Sequence, residues 1–153
     1  RRAPSQKVSF LPHAHDAEVH HGVPTTSHSL GTTEAGEKRA GTPFIDPIRQ
    51  PCVMCIDTPC ITACEPGVLR DELPRKMADA RVDKLACLAW LGQPCRLCVD
   101  QCPVEGAISM DDAHRPAISP EACTGCGVCV QVCPAPRNAI NHRALDNRPF
   151  WRG

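Results

Sequence analysis

The sequence predicts a small α+β fold of short hairpins and short helices, with little regular structure and with bound metal supplying much of its stability. Cysteine is abundant, with twelve residues in a chain of 153. Aromatic residues are scarce, with three Phe, two Trp and no Tyr, so side-chain packing alone gives only a small core. Sixteen Pro and ten Gly favour turns over long helices or wide sheets.

The cysteines fall into three sets of four, with none left over. The sets are Cys52, Cys55, Cys60 and Cys64; Cys87, Cys95, Cys98 and Cys102; and Cys123, Cys126, Cys129 and Cys133. Disulfides, zinc and iron–sulfur clusters are the three chemistries that such cysteines serve. The spacing within each set discriminates among them.

The third set, CTGCGVCVQVCP, has gaps of two, two and three residues and a closing Pro134. This is the spacing of bacterial cluster-binding ferredoxins, in which the fourth cysteine ligates the neighbouring cluster. Pro134 ends any helix, and Gly125 and Gly127 allow the backbone to approach a cluster closely. Zinc ribbons instead use two CxxC pairs separated by a longer spacer, so the third set predicts a 4Fe–4S cluster.

The first two sets are variants of the same unit, because their flanking residues repeat as well as their cysteines. CVMCIDTPCITAC widens the second gap to four residues, and CLAWLGQPCRLCVDQCP widens the first gap to seven. Short β-like runs at 81–87 and 117–123 precede the second and third sets, and a turn with a short apolar run follows each set. The predicted unit is strand, cluster loop, one helical turn, turn and strand. Two such units back to back form a ferredoxin-like core.

Residues 44–141 are predicted to form the cluster-binding domain. Residues 1–43 lack cysteine and are predicted to be an extended arm, residues 142–153 a basic tail, and residues 72–80 a surface linker. The arm carries five of the seven histidines, interpreted as a solvated polar segment with a zinc or copper site as the alternative; they are His13, His15, His20, His21 and His28.

Several classes of function are excluded by the sequence. Seventeen basic and seventeen acidic residues without a run of like charge argue against nucleic acid as a partner. The longest apolar stretch, LACLAWLG, is too short to span a membrane, and no signal-peptide core follows Arg1 and Arg2. No nucleotide-binding or hydrolase motif occurs, so no catalytic residue is assigned. We expect an electron-transfer component of an oxidoreductase system, with Met54 and Trp90 shielding clusters.

Three stretches, in this order, resemble the ferredoxin-type MauM/NapG family of periplasmic nitrate reduction and methylamine utilisation: GTPFIDPIRQPCVMCIDTPCITAC, ACLAWLGQPCRLCVDQCPVEGAI and CTGCGVCVQVCP. The resemblance covers residues 41–140, and the seven-residue gap after Cys87 is its most specific element. It implies a periplasmic protein that relays single electrons through three 4Fe–4S clusters held by the twelve cysteines, or two clusters if the last set is incomplete. It also implies redox partners: a membrane quinol dehydrogenase, through which the protein is membrane-associated, and a cytochrome or reductase.

The resemblance also implies a further cysteine motif upstream, and this motif is absent. An overlay of the family template places His13, Asp16, Val19 and Val23 at its ligand positions, which leaves a decayed motif at 13–24 or unrelated sequence as the alternatives. By analogy with related four-motif subunits, Cys102 would complete the first set's cluster and Cys64 the second set's. The third set would then depend on Cys133 or a borrowed ligand, and it is predicted to be the most labile.

Two other functions stay open at this point. One is the iron–sulfur subunit of a molybdenum oxidoreductase. The spacing around Cys87 is the feature that distinguishes the MauM/NapG pattern from such a subunit. The other is a zinc-stabilised or disulfide-stapled structural module that binds a partner without redox chemistry. Such a module would be colourless, whereas an iron–sulfur protein is brown.

Overall fold

Short elements connected by turns make up the fold. The computed structural model describes residues 29–30, 43–65, 67 and 69–145. The strands in this part are β1 (Ser29–Leu30), β2 (Pro43–Phe44), β3 (Ala78–Val82), β4 (Ile108–Met110), β5 (Pro116–Ile118) and β6 (Ile140–Ala144). The helices are α1 (Pro59–Thr62), α2 (Leu97–Asp100) and α3 (Val128–Gln131). The predicted low content of regular structure is confirmed.

The strands form three antiparallel pairs, β1 with β2, β3 with β6, and β4 with β5. The β4–β5 pair is a local hairpin whose turn is held by Asp111, because its Oδ1 accepts the N–H groups of Ala113 and Arg115 at 3.0 and 2.8 Å. The β3–β6 pair joins distant parts of the chain, with Ala78 opposite Ala144 and Val82 opposite Ile140. It therefore fastens the start of the second unit to the end of the third.

An alternation of burial explains why β3 and β6 pair at this register. Ala78 and Ala80 are buried on β3, and Ile140 and His142 are buried on β6, while the residues between them are exposed. Side chains in a strand point alternately to opposite faces. One face of the ladder therefore covers the third cysteine loop, and the other faces solvent.

Cysteines form part of the apolar core itself. One buried cluster contains Cys123 and Cys129 with Ala80, Ile108 and Ile140. A second, smaller cluster surrounds Cys87 with three alanines, namely Ala89, Ala135 and Ala139. The core thus lies between the second and third cysteine sets.

The predicted boundaries need three corrections. The linker predicted at 72–80 ends earlier, because Ala78 begins β3. The tail predicted from residue 142 starts later, because β6 continues to Ala144 with His142 buried. The strand expected after the first set does not form at Leu69 and Arg70, which lie in irregular backbone.

The predicted arm is described only at its inner end, where Ser29 and Leu30 pair with Phe44 and Pro43. The overlay at 13–24 and the arm's histidines lie outside the described residues. No helix in the described part of the chain is long and apolar enough to cross a bilayer.

Candidate metal centre

All three cysteine sets share one local arrangement around their short helices. The third cysteine of each set is the second residue of a helix, and the fourth cysteine follows two residues after that helix ends. This holds for Cys60 and Cys64 at α1, for Cys98 and Cys102 at α2, and for Cys129 and Cys133 at α3. The predicted helical turn within each unit is confirmed, and the three fourth cysteines are positional equivalents.

The twelve cysteines are all free thiols. The disulfide-stapled alternative is therefore not the arrangement that the structure shows. Within the described ranges, no group of three Cys, His, Asp or Glu side chains is arranged to hold a single metal ion.

The second trio, Cys87, Cys95 and Cys98, lies near the fourth cysteine of the third set. Burial raises the pKa of Cys98 to about 11, and the charges of Cys87, Cys95 and Cys133 add to the increase. Cys133 also packs against the apolar cluster that contains Cys87 and Cys95. The backbone N–H of Ala139 donates to the Cys133 Sγ at 3.4 Å, so this sulfur is already held in place.

The third trio, Cys123, Cys126 and Cys129, lies near the fourth cysteine of the second set. Burial raises the pKa of Cys126, and the charge of Cys102 adds to the increase ahead of the charges of Cys52 and Cys123. Burial also raises the pKa of Cys129, with further contributions from Cys126 and Cys123 and smaller ones from Cys98 and Cys102. The fourth cysteine of each of these two sets therefore lies near the trio of the other set.

This arrangement differs from the pairing implied by the family analogy, and which thiol ligates which cluster stays a prediction. That pairing placed Cys102 with the first trio and Cys64 with the second, whereas the structure brings Cys102 to the third trio and Cys133 to the second. The reason lies in the core, where Cys98, Val99 and Cys102 of the second unit pack against Cys129 and Val130 of the third.

The first trio, Cys52, Cys55 and Cys60, is more open to solvent. Burial raises the pKa of Cys60, and the charges of Cys52 and Cys55 add to the increase, which places the three thiols near one another. Cys55 is exposed, and the next residue, Ile56, is fully exposed. The sulfur of Cys64 accepts the backbone N–H of Leu69 at 3.3 Å.

The first trio lies directly beside the third. The backbone N–H of Cys52 donates to the carbonyl oxygen of Cys126 at 2.9 Å. Between the two loops, the Met54 Sδ accepts hydrogen bonds from the Cys52 thiol at 3.8 Å and from the Thr124 hydroxyl at 3.7 Å. The three trios therefore follow the spatial order first, third, second.

Two glycines permit the tight packing of the third loop. Gly125 has φ +71°, and a Cβ there would lie 2.2 Å from the carbonyl oxygen of Ala78. Gly127, which precedes α3, has φ +94°, and a Cβ there would lie 2.7 Å from the Cβ of Pro47. The prediction that glycine permits close backbone approach is thus met by contacts with β3 and with the segment before Cys52, while its extension to a cluster stays a prediction.

The long gap of the second set is anchored by Trp90. Its indole N–H donates to the carbonyl oxygen of Pro116 at 3.2 Å, which ties the loop to β5. The Lys84 ammonium and the Arg115 guanidinium lie 4.3 and 4.4 Å from the ring centroid, at cation–π distance. Whether Trp90 and Met54 shield a cluster stays a prediction, but both hold a cysteine loop against a neighbouring segment.

His142 is a residue at this site that the sequence interpretation missed. It is buried, its Nε2 lies 2.9 Å from the carbonyl oxygen of Gly125, and burial lowers its pKa. Its Nδ1 is buried without a hydrogen-bond partner among the described residues. The alternation of apolar and polar residues in INHRA was the available signal, because it places His142 on the same strand face as Ile140.

Comparison with known proteins identifies similar iron–sulfur domains. Residues 93–136 match the family described as the 4Fe-4S dicluster domain, and this range contains Cys95, Cys98, Cys102 and the whole third set. The chain is 37% identical over 148 residues to the methylamine utilization ferredoxin-type protein MauM of Paracoccus denitrificans, which covers 86% of this chain and 64% of that protein.

Two ferredoxin-type NapG proteins are also similar. Identity is 33% to the protein of Haemophilus influenzae, over 70% of this chain and 44% of that protein. It is 34% to the protein of Escherichia coli, over 76% of this chain and 57% of that protein. The chain thus spans between about two fifths and two thirds of the length of these relatives. No solved structure matches, and the resemblance to MauM and NapG is confirmed.

Proposed function

We propose that this chain, ferredoxin-type by its similarity to MauM and NapG, relays single electrons through 4Fe–4S clusters. The observation that carries this proposal is the packing of each fourth cysteine against the other set, with Cys133 beside Cys87 and Cys95 and Cys102 beside Cys123 and Cys129. Two-cluster ferredoxins ligate their clusters in this way. The match to a dicluster domain covers the same two sets.

The residues present fit the cofactor. Each of the second and third trios is grouped with one further thiol, and backbone N–H groups reach the sulfurs of Cys123 and Cys133, each at 3.4 Å. One cluster would be held by Cys87, Cys95, Cys98 and Cys133, one by Cys123, Cys126, Cys129 and Cys102, and one by the first trio. Bound clusters supply reversible one-electron chemistry.

The protein's own part in this function is insulation and orientation. The core residues around the third trio are apolar, and Val128 and Val130 are buried beside Cys129. Exclusion of water and N–H groups donated to sulfur are the means by which a protein sets a cluster's reduction potential. The buried third site is therefore the one over which this chain has the most control.

The spatial order of the trios supports a particular order for the electron path. The third trio touches the first through the Cys52–Cys126 hydrogen bond and shares the core with the second. The first and second clusters are then the ends of the relay, where redox partners exchange electrons. We propose a quinol-oxidising membrane partner on one side and a cytochrome or reductase on the other, with the protein in the periplasm.

The test is an iron and sulfide determination on anaerobically purified protein, with visible spectra before and after dithionite. At four irons for each complete site, we expect at least about eight iron and eight sulfide per chain, in a brown protein that dithionite bleaches. A colourless protein that contains zinc instead of iron would contradict the proposal.

A further inference from the structure

We propose that Lys76 is a positioning residue for the third site, where its ammonium group holds the start of the cysteine loop and raises the reduction potential of the cluster. Lys76 lies outside all three cysteine sets, just before β3, in the stretch predicted to be a surface linker. The inference rests on the proposed function and deepens it, because it names a residue that sets the redox equilibrium of one cluster.

The contacts of the Lys76 ammonium are the first argument. Its Nζ donates to the carbonyl oxygens of Pro120 and Cys123, both at 2.8 Å, and lies 3.3 Å from the Asp79 Oδ1. The Lys76 side chain is only 27% exposed, whereas a lysine ammonium normally stays in water at the end of a flexible stem. This cation is therefore fixed against the segment that leads into the third trio.

The same contact is one of a series. Four consecutive carbonyl oxygens of the third loop each accept a hydrogen bond from a segment outside the loop. Their donors, from residue 123 to residue 126, are the Lys76 ammonium, the Met77 N–H, the His142 Nε2–H and the Cys52 N–H, at 2.8, 2.7, 2.9 and 2.9 Å. The His142 nitrogen is the donor because a carbonyl oxygen can only accept. Among the four, only the Lys76 ammonium brings a formal charge.

These outward carbonyl groups determine where the loop's N–H groups point. Every peptide bond in the described part of the chain is trans, and in a trans peptide the N–H points opposite to the C=O of the same unit. The N–H groups of residues 124–127 therefore point away from the segments that supply the four donors. The Gly125 N–H shows the resulting direction, since it donates to the Cys123 Sγ at 3.4 Å. Successive N–H groups turned to one side form an anion-binding concavity of the kind that iron–sulfur sites use.

The positive charge of Lys76 acts in the same direction as these N–H groups. Reduction adds one electron to a cluster, and a cation held nearby stabilises the more negative state. Burial strengthens the attraction, because charges interact more strongly where water is excluded, and Cys123, Cys126 and Cys129 are all buried. Asp79 offsets only part of this effect, since its side chain is 52% exposed and therefore screened by water.

An anaerobic redox titration of the iron-loaded chain, followed by EPR, tests this role. The signal of the third site is the one that disappears in Cys126→Ser. In Lys76→Met, we expect the equilibrium constant for reduction of that site to fall about tenfold, a decrease of about 59 mV in the potential of a one-electron couple. The potentials of the other sites should shift much less.

Two further variants separate the position of the charge from its presence. Arg81→Gln removes one positive charge from an exposed position of β3, and its third-site potential should stay near that of the wild type. Lys76→Arg keeps a cation and its donors in place, and it should restore most of the potential lost in Lys76→Met. Either an equal potential in Lys76→Met and Arg81→Gln or no recovery in Lys76→Arg would overturn the inference.

If Lys76→Met loses the third cluster altogether, the iron content of Lys76→Arg decides the outcome. Wild-type iron in Lys76→Arg supports the inference, because a cation at this position is then sufficient to hold the loop. Loss of about four irons from both variants would overturn it, because the lysine would then act through its shape and not through its charge.

Failure of this inference differs from failure of the proposed function. A chain without iron and sulfide contradicts both. An iron–sulfur protein that dithionite reduces, with the same third-site potential in the wild type and in Lys76→Met, overturns only the role of Lys76, and the electron relay remains.

Discussion

The first and third cysteine loops have related spacing but different support from the fold. The third loop lies between the backbone of Ala78 and Pro47, and it has glycine at the two positions where the chain is left-handed, Gly125 and Gly127. At the equivalent positions of the first loop stand Met54 and Thr58, with φ of 55° and 40°. For residues with a Cβ, this conformation costs roughly 1–2 kcal/mol each.

The comparison shows that cysteine spacing specifies the shape of the loop but not its environment. The third loop needs glycine because another backbone occupies the space that a side chain would take. The first loop tolerates a side chain at the same place, and Met54 uses it to reach Cys52 and Thr124. Burial of Cys123, Cys126 and Cys129 favours a stable third site, and the prediction that this site is the most labile stays untested.

The largest effect is expected when a shared ligand is removed. Cys102→Ser should cost the third trio its cluster, about four of the irons, because Cys102 lies with that trio. Iodoacetamide labelling of the anaerobic variant should then reach Cys123, Cys126 and Cys129. Labelling of Cys52, Cys55 and Cys60 instead would support the pairing implied by the family analogy.

The second effect concerns the packing contact between the third loop and β3. Gly125→Ala would place a Cβ 2.2 Å from the carbonyl oxygen of Ala78. Gly92→Ala is the matched control, since Gly92 has φ +81° and nothing within 4 Å of the added Cβ. We expect the overlap to cost about 1–3 kcal/mol beyond the backbone strain that both variants share.

Thermal or denaturant unfolding of the anaerobic proteins measures this difference. Iron content is determined in parallel, and we expect partial loss from Gly125→Ala and none from Gly92→Ala. Equal destabilisation of the two variants would show that β3 does not press on the third loop.

The third effect is a pH dependence of the free energy of unfolding, and it is caused by His142 beside the third loop. Burial lowers the pKa of His142, so the unfolded chain binds the proton more tightly than the folded one. Stability from the neutral imidazole is present above the unfolded pKa of about 6.5 and is lost as the pH falls below it. We expect the free energy of unfolding to decrease between pH 7.5 and 5.5 by more in the wild type than in His142→Gln.

The exposed His114 provides the control for that comparison. His114→Asn preserves a residue type that tolerates its positive φ of 56°, and its pH profile should match that of the wild type. A His142→Gln profile that also matches the wild type would contradict a role for the buried imidazole in the pH dependence.

The smallest effect is a gain in the free energy of unfolding from a substitution in the first loop. Thr58 precedes α1 in a left-handed conformation, and its side chain makes no capping hydrogen bond. Thr58→Gly should therefore stabilise the protein by about 0.5–1 kcal/mol, since relief of strain exceeds the added chain entropy. Unfolding of the two proteins under the same anaerobic conditions measures it, and a loss of stability would show that the threonine side chain contributes contacts of its own.

Much of the candidate site was predictable because it is local in sequence. The gaps within each set, the helical turn at the third cysteine and the use of glycine in the third loop depend on residues only a few positions apart. The same local patterns led to the resemblance with MauM and NapG, which is confirmed over most of the chain. The three-cluster count remains a prediction.

The boundaries were less predictable because pairing partners decide them. Residues 78–80 follow a charged stretch that contains Pro74 and were assigned with it to a linker, yet they form β3 because β6 pairs with them. His142 was assigned to a solvated tail for the same reason. Its burial depends on Gly125, which lies in a different unit.

By itself, the sequence determined that twelve thiols form three loops suited to iron–sulfur clusters, since the spacing of ligands along the backbone sets the shape of each loop. The tertiary structure alone decided which fourth cysteine lies with which trio. That choice depends on packing between α2 and α3 and on the β3–β6 ladder, which bring together residues that no local pattern relates.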